Sequence, residues 1–406
     1  MIRKETHQHF RRMVKGLLLI AILCNLTNFL HGSDSTTSCK KSDRIPGKVW
    51  MRYASPEQAG WSSEKLRKAK EFSEKIGSAA VMIVYDGAVV DEWGETSRRF
   101  KCHSLRKSLL HALYGIYVGS GKIDLQKTLE ELGIDDVPPL TKKERQARVV
   151  DLLCSRSGIY HPAAYETKKM VADRPERGSH KPGEFFWYNN WDFNALLMIF
   201  EKETGKKIFE EFDEKIARPL GMQDFRVQDG YYRLEKEKSI HPAYPLNMSA
   251  RDLARFGLLY LRRGRWSDKQ IFPESWIDAS TRSHVRKDHP KYHAFGYGYL
   301  WWTVNSEPFK TLGMYNARGV GGQEISVLPE ANLVIVHRVN TFNRLEKRDP
   351  KETPQVDDAE YLRLIGMILE ARTGRAKEKP RLVPLEESQR PQPKAAAYHR
   401  APAGPL

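Results

Sequence analysis

Apolar residues repeat along this chain with two different periods, and the places where the period changes mark its elements. Leu66, Ala69, Phe72 and Ile76 recur at helical spacing behind Ser62 and Ser63, which predicts an amphipathic helix capped at its start and closed by Gly77. Two β-rich runs, 80–85 and 88–93, flank Asp86 and Gly87, a pair that tolerates positive φ and so predicts a tight hairpin. Toward the other end, runs 324–328 and 333–339 flank Pro329 to Asn332 and predict a second hairpin. A strand is expected before it over 297–302 and a helix after it over 359–373. The stretch between reads as helices over 192–204, 208–216, 250–263 and 274–281. Strands at both ends with helices inserted between them imply an α+β protein, an antiparallel β-sheet flanked by helices plus an inserted mainly helical lobe. The groove between the lobes is where a site is expected.

The folded domain is expected to span 53–375, entered through a polar linker at 34–52 and followed by a disordered basic Pro/Ala-rich tail at 376–406. Residues 1–33 have the order of a secretory signal: a basic stretch ending at Lys15, an apolar run from Gly16 to Cys24, then polar residues around His31, Gly32 and Ser33. The apolar run is shorter than the roughly 20 residues of a membrane-spanning helix. Cleavage near Gly32 or Ser33 would give an exported protein, periplasmic or extracellular, whereas an uncleaved segment would leave it anchored to a membrane. Cys24 would be a lipid site only if a small residue preceded it, and Leu23 stands there. The mature chain keeps Cys39, Cys102 and Cys154, an odd number that closes no disulfide framework.

The net charge of +16 suggests nucleic acid until it is divided along the chain. Residues 1–33 and 375–400 each carry a net of +4, which leaves +8 for everything between. That is modest for a domain of this size, and no zinc-finger spacing, RNP-like aromatic pattern or basic heptad arm accompanies it. No nucleic-acid partner is expected. HExxH, HxHxD and GxSxG are also missing, so neither a metal centre nor an α/β-hydrolase elbow is predicted.

The candidate chemistry begins at Ser104-Leu105-Arg106-Lys107, an SxxK motif opening a helix whose apolar stripe runs through Leu105, Leu109, Leu113 and Ile116. A spacing of three sets hydroxyl and amine one turn apart on one face, within reach of proton transfer. A lysine buried there would have a lowered pKa and could act as a neutral base. Ser62 to Lys65 fits the same pattern, but in a helix dense in Lys and Glu an N-cap serine and a solvated lysine explain it. Further along, Lys181-Pro182-Gly183-Glu184-Phe185-Phe186-Trp187-Tyr188-Asn189-Asn190 joins a Pro-Gly turn to an aromatic run and a YxN triplet. Then come Arg218-Pro219-Leu220-Gly221-Met222, the Met248 to Gly257 segment, Gly298 to Trp302, and Gly319-Val320-Gly321-Gly322-Gln323.

With Leu152 to Ile159, these segments in this order resemble the serine β-lactamase-like, penicillin-recognising family, which includes class C β-lactamases, D,D-peptidases, esterases and aminohexanoate-oligomer hydrolases. The resemblance covers about Pro56 to Thr373. It implies acyl transfer through an acyl-enzyme on Ser104, with Lys107 as activating base, a role the family's chemistry leaves open to Tyr188 as well, and with Tyr188 relaying a proton to the leaving group. Asn190 would hold Lys107 and a substrate carbonyl; a helix N-cap is the other reading of that residue. Gly321 and Gly322 would let substrate approach, and the Gln323 N–H would pair with that of Ser104 as an oxyanion donor. No cofactor or metal is implied, and the partner is a small-molecule or peptide-like acyl substrate. Val320 departs from the pattern: members acting on β-lactams or D-Ala peptides place a cation or polar group there to engage the substrate carboxylate. Arg318 is the nearby candidate to replace it. Hydrolysis of an ester or small amide needs no such cation; a D,D-peptidase on peptidoglycan, or a binding protein that keeps the fold without turnover, are the alternatives. Trp187, Trp191, Trp301 and Trp302 either line an apolar groove or pack in the core.

Overall fold

The computed structural model describes residues 44–285, 295–342 and 355–385. The signal-like segment, most of the linker and the end of the basic tail lie outside them. Among the described residues nine strands form one sheet: β1 (Met51–Tyr53), β2 (Ala80–Tyr85), β3 (Ala88–Gly94), β8 (Phe295–Tyr297), β9 (Trp302–Val304), β10 (Tyr315–Gly319), β11 (Gln323–Leu328), β12 (Leu333–Arg338) and β13 (Leu382–Pro384). Four two-residue strands make two small ribbons, β4 (Phe100–Lys101) with β5 (Asn247–Met248) and β6 (Arg265–Trp266) with β7 (Lys269–Gln270). The large sheet runs β13-β1-β3-β2-β12-β11-β10-β9-β8. All its pairs are antiparallel except β1 with β3.

Both expected hairpins form. Asp86 and Gly87 take φ of 48° and 77°, so Tyr85 pairs with Ala88, and Asn332 at φ 52° turns β11 into β12. The run 297–302, expected as one strand, is instead the end of β8, a turn and the start of β9, because Leu300 adopts φ 58° and its N–H leaves the sheet for the Leu153 carbonyl. The folded unit also passes both expected edges. Trp50 is buried and Arg255 donates to the carbonyls of Gly47 and Lys48, while β13 adds to β1 through residues assigned to the tail.

Side chains alternate across the central strands, so the sheet has two cores. Met82, Val84, Val334 and Val336 face the helical lobe; Val81, Ile83, Leu333 and Ile335 face the helices Ser63–Lys75 and Asp358–Glu370. On the lobe side, the helix Ala250–Leu261 lies so close that a Cβ on Gly257 would strike Val334, at 2.6 Å. This platform carries β10, an interior strand, against which the turn bearing Ser104 is seated.

Candidate active site

Ser104 sits in a single 3-10 turn, His103–Leu105, and the regular helix starts only at Arg106, running to Gly119. His103 enters the turn at φ 49°, a left-handed conformation that non-glycine residues rarely adopt. Its ring is held between Thr341, 2.7 Å from Nε2, and the Tyr165 hydroxyl, 3.2 Å from Nδ1. The strained turn leaves Ser104 partly exposed while Leu105, Arg106 and Lys107 are buried.

Lys107 gathers the site. Its Nζ lies 3.0 Å from Ser104 Oγ, 2.7 Å from Tyr188 Oη and 2.8 Å from Asn190 Oδ1. The ammonium position is also 4.2 Å from the Tyr188 ring centre and 4.1 Å from that of Phe193. None of these partners is a carboxylate. Burial, reinforced by the charge of Arg106, therefore holds the lysine pKa well below its ordinary value, which favours the neutral amine.

The Tyr188 to Asn190 segment is braced by the Leu152 to Ile159 stretch. The hydroxyl of Ser155 donates to the Trp187 carbonyl and accepts from the Asn189 N–H, and Asn189 Nδ2 donates to the Ile159 carbonyl. The two asparagines divide two tasks. Asn189 caps the helix Asn190–Thr204, its Oδ1 accepting from the Trp191 N–H, so the cap role weighed for Asn190 belongs to its neighbour. Asn190 is thereby free to bind Lys107, and its Nδ2 donates to the Tyr165 carbonyl at 2.7 Å. Tyr165 itself stands at φ 68°. Sequence reasoning missed it; a backbone acceptor supplied from a loop leaves no side-chain signature.

The glycine-rich segment is distributed differently from expectation. Gly321 and Gly322, at φ 88° and 93°, form the turn between β10 and β11, and a Cβ on Gly322 would press on Val356. Gln323 opens β11 opposite Gly319; its buried side chain donates to the Val339 carbonyl and accepts from Arg338 Nε. The glycine that meets the Ser104 turn is Gly319, where a Cβ would collide with the Cys102 carbonyl and lie 3.2 Å from the Leu105 nitrogen. Close approach of backbone to backbone is the physical reason for a glycine there.

Arg318 does not stand free for a substrate carboxylate. Its Nε donates to Glu324 at 3.0 Å, its Nη2 to Asp358, and its guanidinium lies 4.5 Å from the Phe295 ring centre. Val320 is exposed. Of the four tryptophans, Trp187, Trp191 and Trp301 are core residues, and only the half-buried Trp302 reaches the site, 5.2 Å from the Tyr188 ring. Ser62, of the second SxxK match, is an N-cap accepting from the Lys65 N–H. Cys102 and Cys154 are buried free thiols. Among the described residues, no group of three or more His, Cys, Asp or Glu is arranged to hold a metal.

Comparison with known proteins bears on the fold and the family. An uncharacterized protein of Alkalihalophilus pseudofirmus is 24% identical over 323 residues, 69% of this chain and 89% of its own. Among solved structures, a putative 6-aminohexanoate-dimer hydrolase from Bacillus anthracis superposes with a TM-score of 0.57 at 20% identity, over 82% of this chain and 98% of that one. A putative beta-lactamase from Bacteroides dorei gives 0.55 at 15% identity (76% and 99%). EstCE1, a hydrolase with promiscuous acyltransferase activity, gives 0.52 at 14% (77% and 98%). At these identities the structures establish a shared fold, and the family model that matches residues 66–360 is Beta-lactamase. With most of the chain covered by that match, this protein belongs to the beta-lactamase family of serine hydrolases.

Proposed function

We propose that this chain is an exported hydrolase that works through an acyl-enzyme on Ser104 and favours neutral esters or small amides over β-lactams and D-Ala peptides. The observation that carries the reading is the Lys107 amine, buried and bonded at once to Ser104, Tyr188 and Asn190. A neutral amine 3.0 Å from the serine oxygen can take its proton as that oxygen attacks a carbonyl. Tyr188, hydrogen-bonded to the same amine, is placed to pass the proton to the leaving group, and water then releases the acyl group. The N–H of Ser104 is one oxyanion donor. Because Gly319 abuts the turn of Ser104, we assign the second donor to the Gly319–Val320 peptide in place of the Gln323 N–H.

The substrate preference rests on charge. Val320 supplies no cation, and Arg318 is already paired with two carboxylates, so a substrate carboxylate has no partner in this segment. The same facts weigh against a D,D-peptidase. Export rests on the signal-like order of residues 1–33.

The test compares turnover of a p-nitrophenyl ester and a chromogenic cephalosporin by wild type and Ser104→Ala, expressed from about Asp34 onward. Wild-type turnover, with the ester preferred, and a loss of about 10³-fold or more in the variant are expected. Equal inactivity of both proteins on both compounds would favour binding without turnover.

A further inference from the structure

Arg106 stands between the nucleophile and its base in sequence and is wholly buried. The position is costly for a cation. Burial strips its hydration, and the helix N-terminus, whose first residue it is, carries positive partial charge. Its Nε and Nη2 have no partner among the described residues, and its Nη1 donates to a neutral acceptor, the His103 carbonyl at 3.0 Å. What holds the guanidinium is two aromatic faces, Tyr165 and Tyr244, with ring centres at 5.2 and 4.9 Å. Among the described residues no carboxylate is bonded to it; Glu235, which accepts from the Tyr165 N–H, is paired with Arg233 and Lys238. Burial pushes the Cys102 thiol and the phenols of Tyr165, Tyr231 and Tyr244 away from ionisation, and the remaining neighbour, His103, is an imidazole that can only be neutral or cationic. Around Lys107 the facing groups are Ser104, Tyr188, Asn190 and the Phe193 ring, again without a carboxylate.

We propose that Arg106 is a positioning residue for the reaction at Ser104: its unneutralised charge keeps the Lys107 amine neutral and favours negative charge on the reacting oxygens, while its bond to the His103 carbonyl fixes the strained turn presenting Ser104. The proposal rests on Ser104 acting as the nucleophile. A positive field of this kind favours the neutral amine from which acylation starts and stabilises the oxyanion it forms, and it makes the ammonium left by proton transfer a better acid toward the leaving group. The lowered pKa of Lys107, in which the Arg106 charge adds to burial, agrees with it.

The test is the pH dependence of Ser104 labelling by a fluorophosphonate, read as a second-order rate constant, in wild type, Arg106→Met, Arg106→Gln and Arg106→Lys. The acid limb of that profile follows deprotonation of Lys107. Removing the charge is expected to move the limb upward by about one pH unit and to slow the plateau about 10- to 100-fold, with Arg106→Lys restoring the limb. Arg106→Gln retains a donor for the His103 carbonyl, so the limb can be read if Arg106→Met does not fold. A limb that stays in place in the neutral variants, or that moves as far in Arg106→Lys, overturns the proposal whatever the plateau does. Absence of labelling in wild type would instead remove the hydrolase reading beneath it.

Discussion

Two neighbouring regions of this site treat positive charge in opposite ways. At the Ser104 helix, Lys107 is surrounded by a hydroxyl, a phenol, an amide and two aromatic faces, all neutral. At the end of β10, Arg318 is held by Glu324 and Asp358, and those charges push its pKa further up. A cation compensated by carboxylates keeps its proton and serves the structure. A buried amine given only neutral partners is poised to lose its proton, and so remains available for chemistry. Burial alone does not separate the two, since both side chains are mostly hidden; the charge of the partners does.

The largest effect should come from breaking the Lys107 side. Lys107→Met is expected to lower kcat/KM on a neutral ester by about 10³-fold, within the range for losing a general base. Lys107→Arg should not rescue it, because a guanidinium stays protonated. In wild type the rate should climb with pH through the depressed lysine pKa, since the protonated form is the inactive one and burial makes it the disfavoured one. An Arg variant with near wild-type rate would show that Lys107 acts as a fixed charge rather than as a base.

Breaking the Arg318 side should cost stability instead of rate. Arg318→Met leaves Glu324 buried without its cation, a loss of about 3 kcal/mol by urea unfolding at pH 8. Burial already pushes the Glu324 carboxyl up to about 7, against the pull of Arg318. In the variant it should rise further. A carboxyl whose folded pKa exceeds its unfolded one binds more protons when folded, so stability falls as pH rises through that window. The variant should therefore recover much of its stability near pH 5, while its kcat/KM for a neutral ester stays within about threefold of wild type at a temperature where it is folded. A tenfold loss of rate in folded protein would place Arg318 in the reaction.

What could be read from sequence follows the same division between local and distant causes. Ser104 and Lys107 were legible because three residues of one helical turn fix their separation, and the Asp86-Gly87 hairpin because two residues carry its backbone conformation. Strand β10 was not, because its polar residues break the apolar alternation: Arg318 is accommodated there by Glu324, its cross-strand partner, and by Asp358, distant in sequence. The assignment of the cap to Asn189 and of the lysine contact to Asn190 could not be read either. It depends on Ser155, Ile159 and the carbonyl of Tyr165, which tertiary packing brings in from loops 25 to 34 residues away. The expected tail failed at its start for a related reason, since Leu382 to Pro384 form a strand only because β1 offers them an edge.

The smallest expected effect is also the most direct test of the substrate preference. Val320 is 38% exposed beside Gly319, so a lysine placed there can keep its ammonium in solvent while its stem lies along the segment. It would not share the fate of Arg318, because Glu324 and Asp358 are already engaged by that arginine. Val320→Lys should therefore add a cation that remains free to meet an anionic substrate. The expected outcome is a rise of about threefold in the ratio of cephalosporin to neutral-ester kcat/KM, the size of one solvent-screened ion pair, shrinking as salt is raised. If the ratio does not move while the protein remains folded and active on the ester, the missing cation is not what sets the preference, and the shape of the groove around Trp302 becomes the feature to vary.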